Sequence, residues 1–461
     1  MHTLRVTEWS HVSCDSLSAE DRDGISAAIE GWRLQNGLLT APIHFEGPNG
    51  AELHARQFVG VVEVDDVAIE IYPKLDAELI NASDVRPLSP AIRTDTVMRN
   101  LLWMLEVANF TNLADTDTAH LDESPTSFFD LFAYLLGKNL RPELEQGVAH
   151  AYVARTDNCK TVRGRIDVGH QLTRNWNRHD QIRCAWDEFT PDIPINRLLK
   201  CACRFLGDRV NYAEAARLLT DCRMLLSEVE DVSPAVALID VERIRFDRSQ
   251  TRFSTAFDLA KRLLMGVGHN LGVGTANTFV FLIDMNEVFE KYVHAVLEAH
   301  FAIIVEEQKY VGRLLNLKVG GIHQFADYLW QGHHDLWIGD AKYKHLAKGQ
   351  VDSLRFEALE PETGDLNEGN VPAGRIVDAS DVRQLTVYAE LAKLRWPAIT
   401  HSNLVLLYPF VGDATKCVAD RTVAWNGAWF WLVPVLVKPQ PNVGDAIRVV
   451  PAMVDEPAML S

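Results

Sequence analysis

The string HQFADYLWQGHHDLWIGDAKYKHL, His323 to Leu346, holds two acids and a lysine at spacings that suit a metal ion beside a phosphate. Along a strand alternate residues share a face, so Asp340 and Lys342 project together while Ala341 points away. Asp327 belongs to the preceding strand, and a two-residue tip at His333-His334 places it directly across an antiparallel pair from Asp340. Such opposed residues have Cβ atoms about 4.5–5.5 Å apart. Two carboxylates that close repel each other unless a cation sits between them. Hard oxygen ligands with open water positions suit Mg²⁺ or Mn²⁺. Lys342, on the same face, could hold an attacking water or stabilise charge developing on a phosphate. A divalent ion, two acids and a lysine suffice for phosphodiester hydrolysis.

An Asp–Lys ladder on a strand is ordinarily just a solvated face. Here the strand runs among Leu336, Trp337, Ile338 and Tyr343, surroundings in which charge is costly. The elements around it set the geometry. Asp284 to Phe301 reads as an amphipathic helix, with Met285, Val288, Phe289, Tyr292, Val293, Val296 and Leu297 on one stripe. Glu290 lies nearer that stripe than Glu287, which faces away. Strands are expected at Ile303–Val305, Gln324–Trp330 and Leu336–Tyr343. A polar loop over Gly349–Ser380, a helix over Asp381–Leu394 and an apolar strand over Asn403–Tyr408 follow, giving the order αβββαβ. Gln384 and Tyr388, four apart, share a face of the second helix. His323, His333, His334 and His345 raise a zinc reading, but they fall on loops and strand ends with no paired Cys and no H-x₃-H helix, which disfavours it.

Upstream, FVGVVEVDDVAIEIYPKL (Phe58 to Leu75) reads as a hairpin turning at Asp65-Asp66 and ended by Pro73. From about Val97 the apolar spacing becomes helical. The middle combines a strand-like or loop segment at Thr161–Asp167 with helices at Asn196–Gly207 and Thr255–Met265. The expected architecture is α+β and multidomain: a β-rich N-terminal module with helices over 1–150, a mostly helical middle over 151–280 and an α/β core over 281–461.

With 461 residues, the chain exceeds one ordinary core. No apolar stretch is long enough to span a membrane and the N-terminal residues do not resemble a secretion signal, so a cytoplasmic location is expected. The seven cysteines are odd in number and scattered, as reduced thiols would be, and Cys201 and Cys203 fit a buried helix face. With 45 basic and 63 acidic residues the net charge is −18, the wrong sign for tight unaided DNA binding. No G-x-x-x-x-G-K-[ST] motif occurs, so any nucleotide hydrolysis belongs to another chain.

The strings MNEVFEKYV, ADYLW with GDAKYK, and DVRQLTVYA, together with VGVVEVDDVAIEIYPK, RGRID and FTPDIPINRLLK upstream, resemble in order the motifs of the McrC family. That family supplies the nuclease subunit of the McrBC modified-cytosine restriction systems. The resemblance implies a PD-(D/E)xK endonuclease core in which Asp327 and Asp340 bind metal and Lys342 is the catalytic lysine. Ala326 stands where the motif has proline, a position that would shape the strand rather than touch the ion. Glu290 resembles the helix-borne acid of such nucleases and would add a metal ligand. Gln384 and Tyr388 resemble a Q-x-x-x-Y element that orients the lysine or meets DNA, and Lys344 is a further candidate phosphate contact. Implied partners are an AAA+ GTPase motor, which the N-terminal half would dock and stimulate, and double-stranded, modified DNA. The competing expectation is a non-catalytic adaptor of the motor, against which the intact Asp327, Asp340 and Lys342 speak. A nuclease acting on RNA or on unmodified foreign DNA is a third expectation.

Overall fold

The structure is a computed structural model that describes residues 2–47, 50–75, 94–108, 125–178, 180–239, 241–267, 278–301, 305–313, 323–331, 335–343, 379–396, 401–412, 414–424 and 427–447. It divides into two compact units, one of Met1–Thr126 with Asn270–Ser461 and one of Ser127–His269. These cuts differ from the segment ends expected at 150 and 280. The chain is α+β throughout, and none of the described helices is long and apolar enough to cross a membrane.

In the first unit, the expected hairpin forms from Phe58–Val64 and Val67–Tyr72, with Asp65 at φ 50° in the turn between them. His2–Thr7 adds in parallel to the second strand. Thr278–Asp284 adds antiparallel to the first, completing a four-stranded sheet from two distant parts of the chain. The helix Ala19–Gln35 starts at a capping box, in which Ser18 accepts from the Asp21 N–H and Asp21 accepts from the Ser18 N–H. Its buried face, Ile25, Ala28, Ile29 and Trp32, shares a core with Val62, Ile69, Ile71 and Val280. Gly60 sits where the two distant strands meet. At φ +143° it adopts a backbone that side chains rarely tolerate, and an added Cβ would lie 2.1 Å from the Phe281 carbonyl oxygen. Gly60→Ala is therefore expected to lower unfolding stability by about 3–5 kcal/mol, read from the denaturant midpoint. An unchanged midpoint would show that the sheet can shift at no cost.

The same unit holds a second sheet ordered Glu306–Arg313, His323–Gln331, Asp335–Ala341, His401–Phe410, Trp429–Leu436 and Asp420–Val423. Three antiparallel strands lead into two parallel pairings, and the last strand pairs antiparallel at the edge. The helix Met285–Phe301 precedes these strands and buries all seven residues of the expected stripe. Tyr292 anchors it by donating to the Leu436 carbonyl at 2.6 Å and accepting from the Trp103 indole N–H at 3.3 Å. The helix Ala379–Arg395 lies between the third and fourth strands in sequence, so the order α-β-β-β-α-β is present. Of the strand expected at Ile303–Val305, residues 303 and 304 lie outside the described residues and Val305 precedes the ladder, whose described strand is Glu306–Arg313, a polar edge strand that needs little apolar character. The second helix begins at Ala379, inside the expected loop, and the rest of that loop, 349–378, lies outside the described residues.

The second unit contains the helices Phe128–Glu145, Val168–Thr173, Pro194–Gly207, Ala213–Leu225, Pro234–Leu238 and Ser254–Met265. Asp130, 1% exposed, accepts from the N–H groups of Asn211 and Tyr212 and so tethers one helix to the start of another. Cys201 and Cys203 are buried in Pro194–Gly207, and each of the seven cysteines is a thiol outside any disulfide. The unit is less helical than expected, since Ala151–Cys159, Ile182–Thr190 and Arg165–Ile166 form a three-stranded sheet.

Candidate active site

Tyr328 pairs with Gly339, Leu329 with Ile338, Trp330 with Trp337 and Gln331 with Leu336. Continued by one step, this register sets Asp327 across from Asp340, the placement expected from a His333-His334 tip, although those two histidines lie outside the described residues. Asp340 belongs to an interior strand, flanked by His323–Gln331 on one side and His401–Phe410 on the other, and is 0% exposed. Lys342 lies just past the strand end, yet its N–H still donates to the Leu407 carbonyl at 2.9 Å. That bond keeps the alternation intact, and the Lys342 ammonium reaches Asp340 Oδ2 at 2.6 Å.

Asp327 is oriented from two sides: the Ala341 N–H donates to Oδ2 at 3.1 Å, and the Gln308 amide approaches Oδ1 at 3.5 Å. Gln308 lies on the edge strand with φ 46°, a strained backbone for a residue with a side chain. Nothing in its sequence setting marks it. Tyr328 carries no motif signal of its own either. Its hydroxyl donates to the Glu290 backbone carbonyl at 2.6 Å, fastening the helix that carries Glu290 to the strand that carries Asp327. Glu290 is partly buried, whereas Glu287 is exposed and paired with Lys291 at 2.7 Å.

Three acids feel one another here. Burial, and then the charge of Asp327, push the Asp340 carboxyl up to about 8. Asp327 is held up by burial and by Glu290, and Glu290 by burial, then by Asp340, with Lys342 opposing. Burial pulls Lys342 down, but Asp340 and Asp327 outweigh it and leave the ammonium more firmly protonated. Apart from that ammonium and any proton the acids share, neither Asp340 oxygen has a hydrogen-bond donor among the described residues. A wholly buried carboxyl held by the Lys342 ammonium and facing further acids is the donor set a hard divalent cation fits.

Gln384 donates to the Tyr388 hydroxyl at 2.6 Å. Burial raises the Tyr388 phenol, with Asp340 and Asp327 adding to it, which brings this pair within electrostatic reach of the acids. Lys344 lies outside the described residues, as do His333, His334 and His345, three of the four histidines for which the sequence disfavours a zinc site. His323 packs against the rings of Tyr310 and Phe325.

A further anchor reaches the strand end from the N-terminus. Glu8, fully buried, accepts from the Tyr343 hydroxyl at 2.6 Å and from the Lys74 N–H at 2.8 Å, so the residue after Lys342 is tied to the N-terminal sheet.

No curated protein matches the chain. A chain of the refined half-complex from a tetradecameric assembly of Thermococcus gammatolerans McrB AAA+ hexamers with bound McrC is similar in structure, with a TM-score of 0.62 and 18% identity, covering 96% of this chain and 98% of that one. A chain of the Thermococcus gammatolerans McrBC complex, solved by cryo-EM, shares 20% identity at a TM-score of 0.44 and covers 66% of this chain and 89% of that one. The first likeness shows a common fold. Residues 53–356, well over half of the sequence, match the family described as McrBC 5-methylcytosine restriction system component, and the chain belongs to that family.

Proposed function

We propose that the chain is the endonuclease subunit of a McrBC-like restriction system, a PD-(D/E)xK phosphodiester hydrolase that cuts DNA when assembled with an AAA+ GTPase, whose hydrolysis it also stimulates. The observation that carries the nuclease reading is the wholly buried Asp340 carboxyl, 2.6 Å from the Lys342 ammonium and set against the acids Asp327 and Glu290. Asp327, Asp340 and Glu290 would hold Mg²⁺ or Mn²⁺. When bound, the ion supplies charge neutralisation for a phosphate and acidifies a water. The chain's own contribution is positional. The Ala341 N–H and Gln308 fix the Asp327 carboxylate, Tyr328 sets the depth of Glu290, and Asp340 aims the Lys342 ammonium along the shared face. From there Lys342 can orient the attacking water or stabilise the charge developing on the phosphate.

Membership of the family, and the McrB AAA+ hexamers with bound McrC in the assembly of similar fold, support the partner reading. The net charge of −18 supports it independently, because a chain so acidic gains little from phosphate neutralisation and benefits from a partner that delivers the duplex. Seven cysteines outside any disulfide suit a reducing cytoplasm, where we place the protein. The test is cleavage of methylated and unmethylated duplexes by the purified chain, with and without its AAA+ partner and GTP. Cutting should require chain, partner and nucleotide together. Efficient cutting by the chain alone at physiological salt would overturn the assignment of a partner-dependent enzyme.

A further inference from the structure

A second cluster lies in the first unit, on the small sheet formed by His11–Ser13, Glu52–Ala55 and Ile43–Glu46. His44 and Glu46 are two apart on one strand and so share a face. His54 stands directly opposite His44 on the next strand, and His11 directly opposite His54 on the third, so one row across the sheet carries three imidazoles. With Glu46 beside this row, one ligand atom each of His44, His54 and Glu46 lies within 4.8 Å of the others. His44 Nε2 is 3.4 Å from His54 Nδ1 and 2.5 Å from Glu46 Oε1. His11 stacks on His54 with ring centroids 4.2 Å apart and planes 11° from parallel, which fixes the ring that offers Nδ1.

We infer that His44, His54 and Glu46 bind a divalent transition ion, zinc before others, at a site separate from the three-acid cluster. Ligands at about 2.0–2.1 Å from a tetrahedral zinc ion are roughly 3.3 Å from one another. The His44–His54 separation already has that value, and the half-exposed Glu46 side chain needs only a small swing away from His44 to match it. Two imidazoles and one carboxylate leave a position for water. The two sites differ in chemistry: the acids at Asp327, Asp340 and Glu290 offer oxygen alone and suit Mg²⁺, whereas imidazole nitrogen selects zinc, nickel or copper. An ion here would join the strands Ile43–Glu46 and Glu52–Ala55 across their open face, reinforcing a sheet whose strands are only 3 to 4 residues long.

The experiment is calorimetric titration of the chelator-treated full chain with Zn²⁺ alone, in excess Mg²⁺ so that the acid cluster is occupied. One equivalent should bind, and bind equally in Asp340→Asn. His54→Ala should abolish that equivalent, and Glu46→Gln, a change at an exposed position that leaves folding untouched, should weaken it by roughly 10-fold or more. Co²⁺ in place of zinc should give the visible absorption of a four-coordinate site in wild type and not in His44→Ala. Absence of binding, or an equivalent that survives His44→Ala and Glu46→Gln in folded protein, overturns the site.

Discussion

Asp340→Asn and Lys342→Ala are each expected to lower DNA cleavage by on the order of 10²–10³-fold or more, with little change in folding or in partner binding. The asparagine is nearly isosteric with the carboxyl it replaces. At neutral pH, with no ion bound, that carboxyl is largely protonated, because burial and Asp327 hold it up to about 8. The core therefore loses little. What disappears is the ability to become a carboxylate when a cation arrives. Lys342 retains 21% side-chain exposure, enough to reach a phosphate, and its removal leaves the strand's ladder bond to Leu407 in place. Plasmid cleavage by the assembled complex, beside the thermal midpoint of each variant, separates the two outcomes. Cutting at the wild-type rate by either folded variant would remove the acids and the lysine from the mechanism.

Chelation should have an effect of similar size. Cleavage is expected to vanish in EDTA, to return with Mg²⁺ or Mn²⁺, and to return little or not at all with Ca²⁺, whose larger radius and lax geometry do not hold water and phosphate in line. The raised acids also give the ion-free protein a pH signature. Unfolded, the Asp340 carboxyl titrates near its ordinary value of 3.8; folded, near 8. Between those values the folded state binds more protons than the unfolded one. The stability contributed by Asp340 is thus fully present below about pH 4 and is lost as pH rises through about 8. In EDTA the thermal midpoint should fall between pH 5 and pH 9, and Asp340→Asn should flatten that fall. Saturating Mg²⁺ should offset it most at high pH, where the carboxylates are free to bind. A midpoint in EDTA that rises over this range would contradict the burial of a charge at Asp340.

Much of this unit was legible because its signals are local. The stripe on Met285–Phe301 is periodic, so the seven buried residues could be named from spacing, and with them the side on which Glu290 lies. A short hairpin tip determines register, so the facing of Asp327 and Asp340 followed from counting. The strand Thr278–Asp284 gave no such signal. Its meaning lies in pairing with Phe58–Val64, and nothing near it in sequence announces that partner. Ala151–Cys159 and Ile182–Thr190 were hidden for another reason: mostly half-buried or exposed rather than sorted into a buried and a solvated face, they show no clear apolar alternation. Gln308 reads as an ordinary polar residue on an edge strand. His11, His44 and His54 have no motif spacing and meet only through the sheet register.

That long-range pairing has a consequence during synthesis. Phe58–Val64 is almost wholly buried in the finished sheet, and its outer edge is covered by Thr278–Asp284. On the ribosome, more than two hundred residues must follow the hairpin before its cover emerges, which at about 5–20 residues per second takes roughly 10–40 s. Through that interval FVGVVEV is an apolar, β-branched edge with unsatisfied backbone groups, the kind of segment that recruits other nascent chains. The nascent chain is therefore expected to need shielding of this edge for longer than its size alone would require, and slower translation between residues 64 and 278 should increase its aggregation.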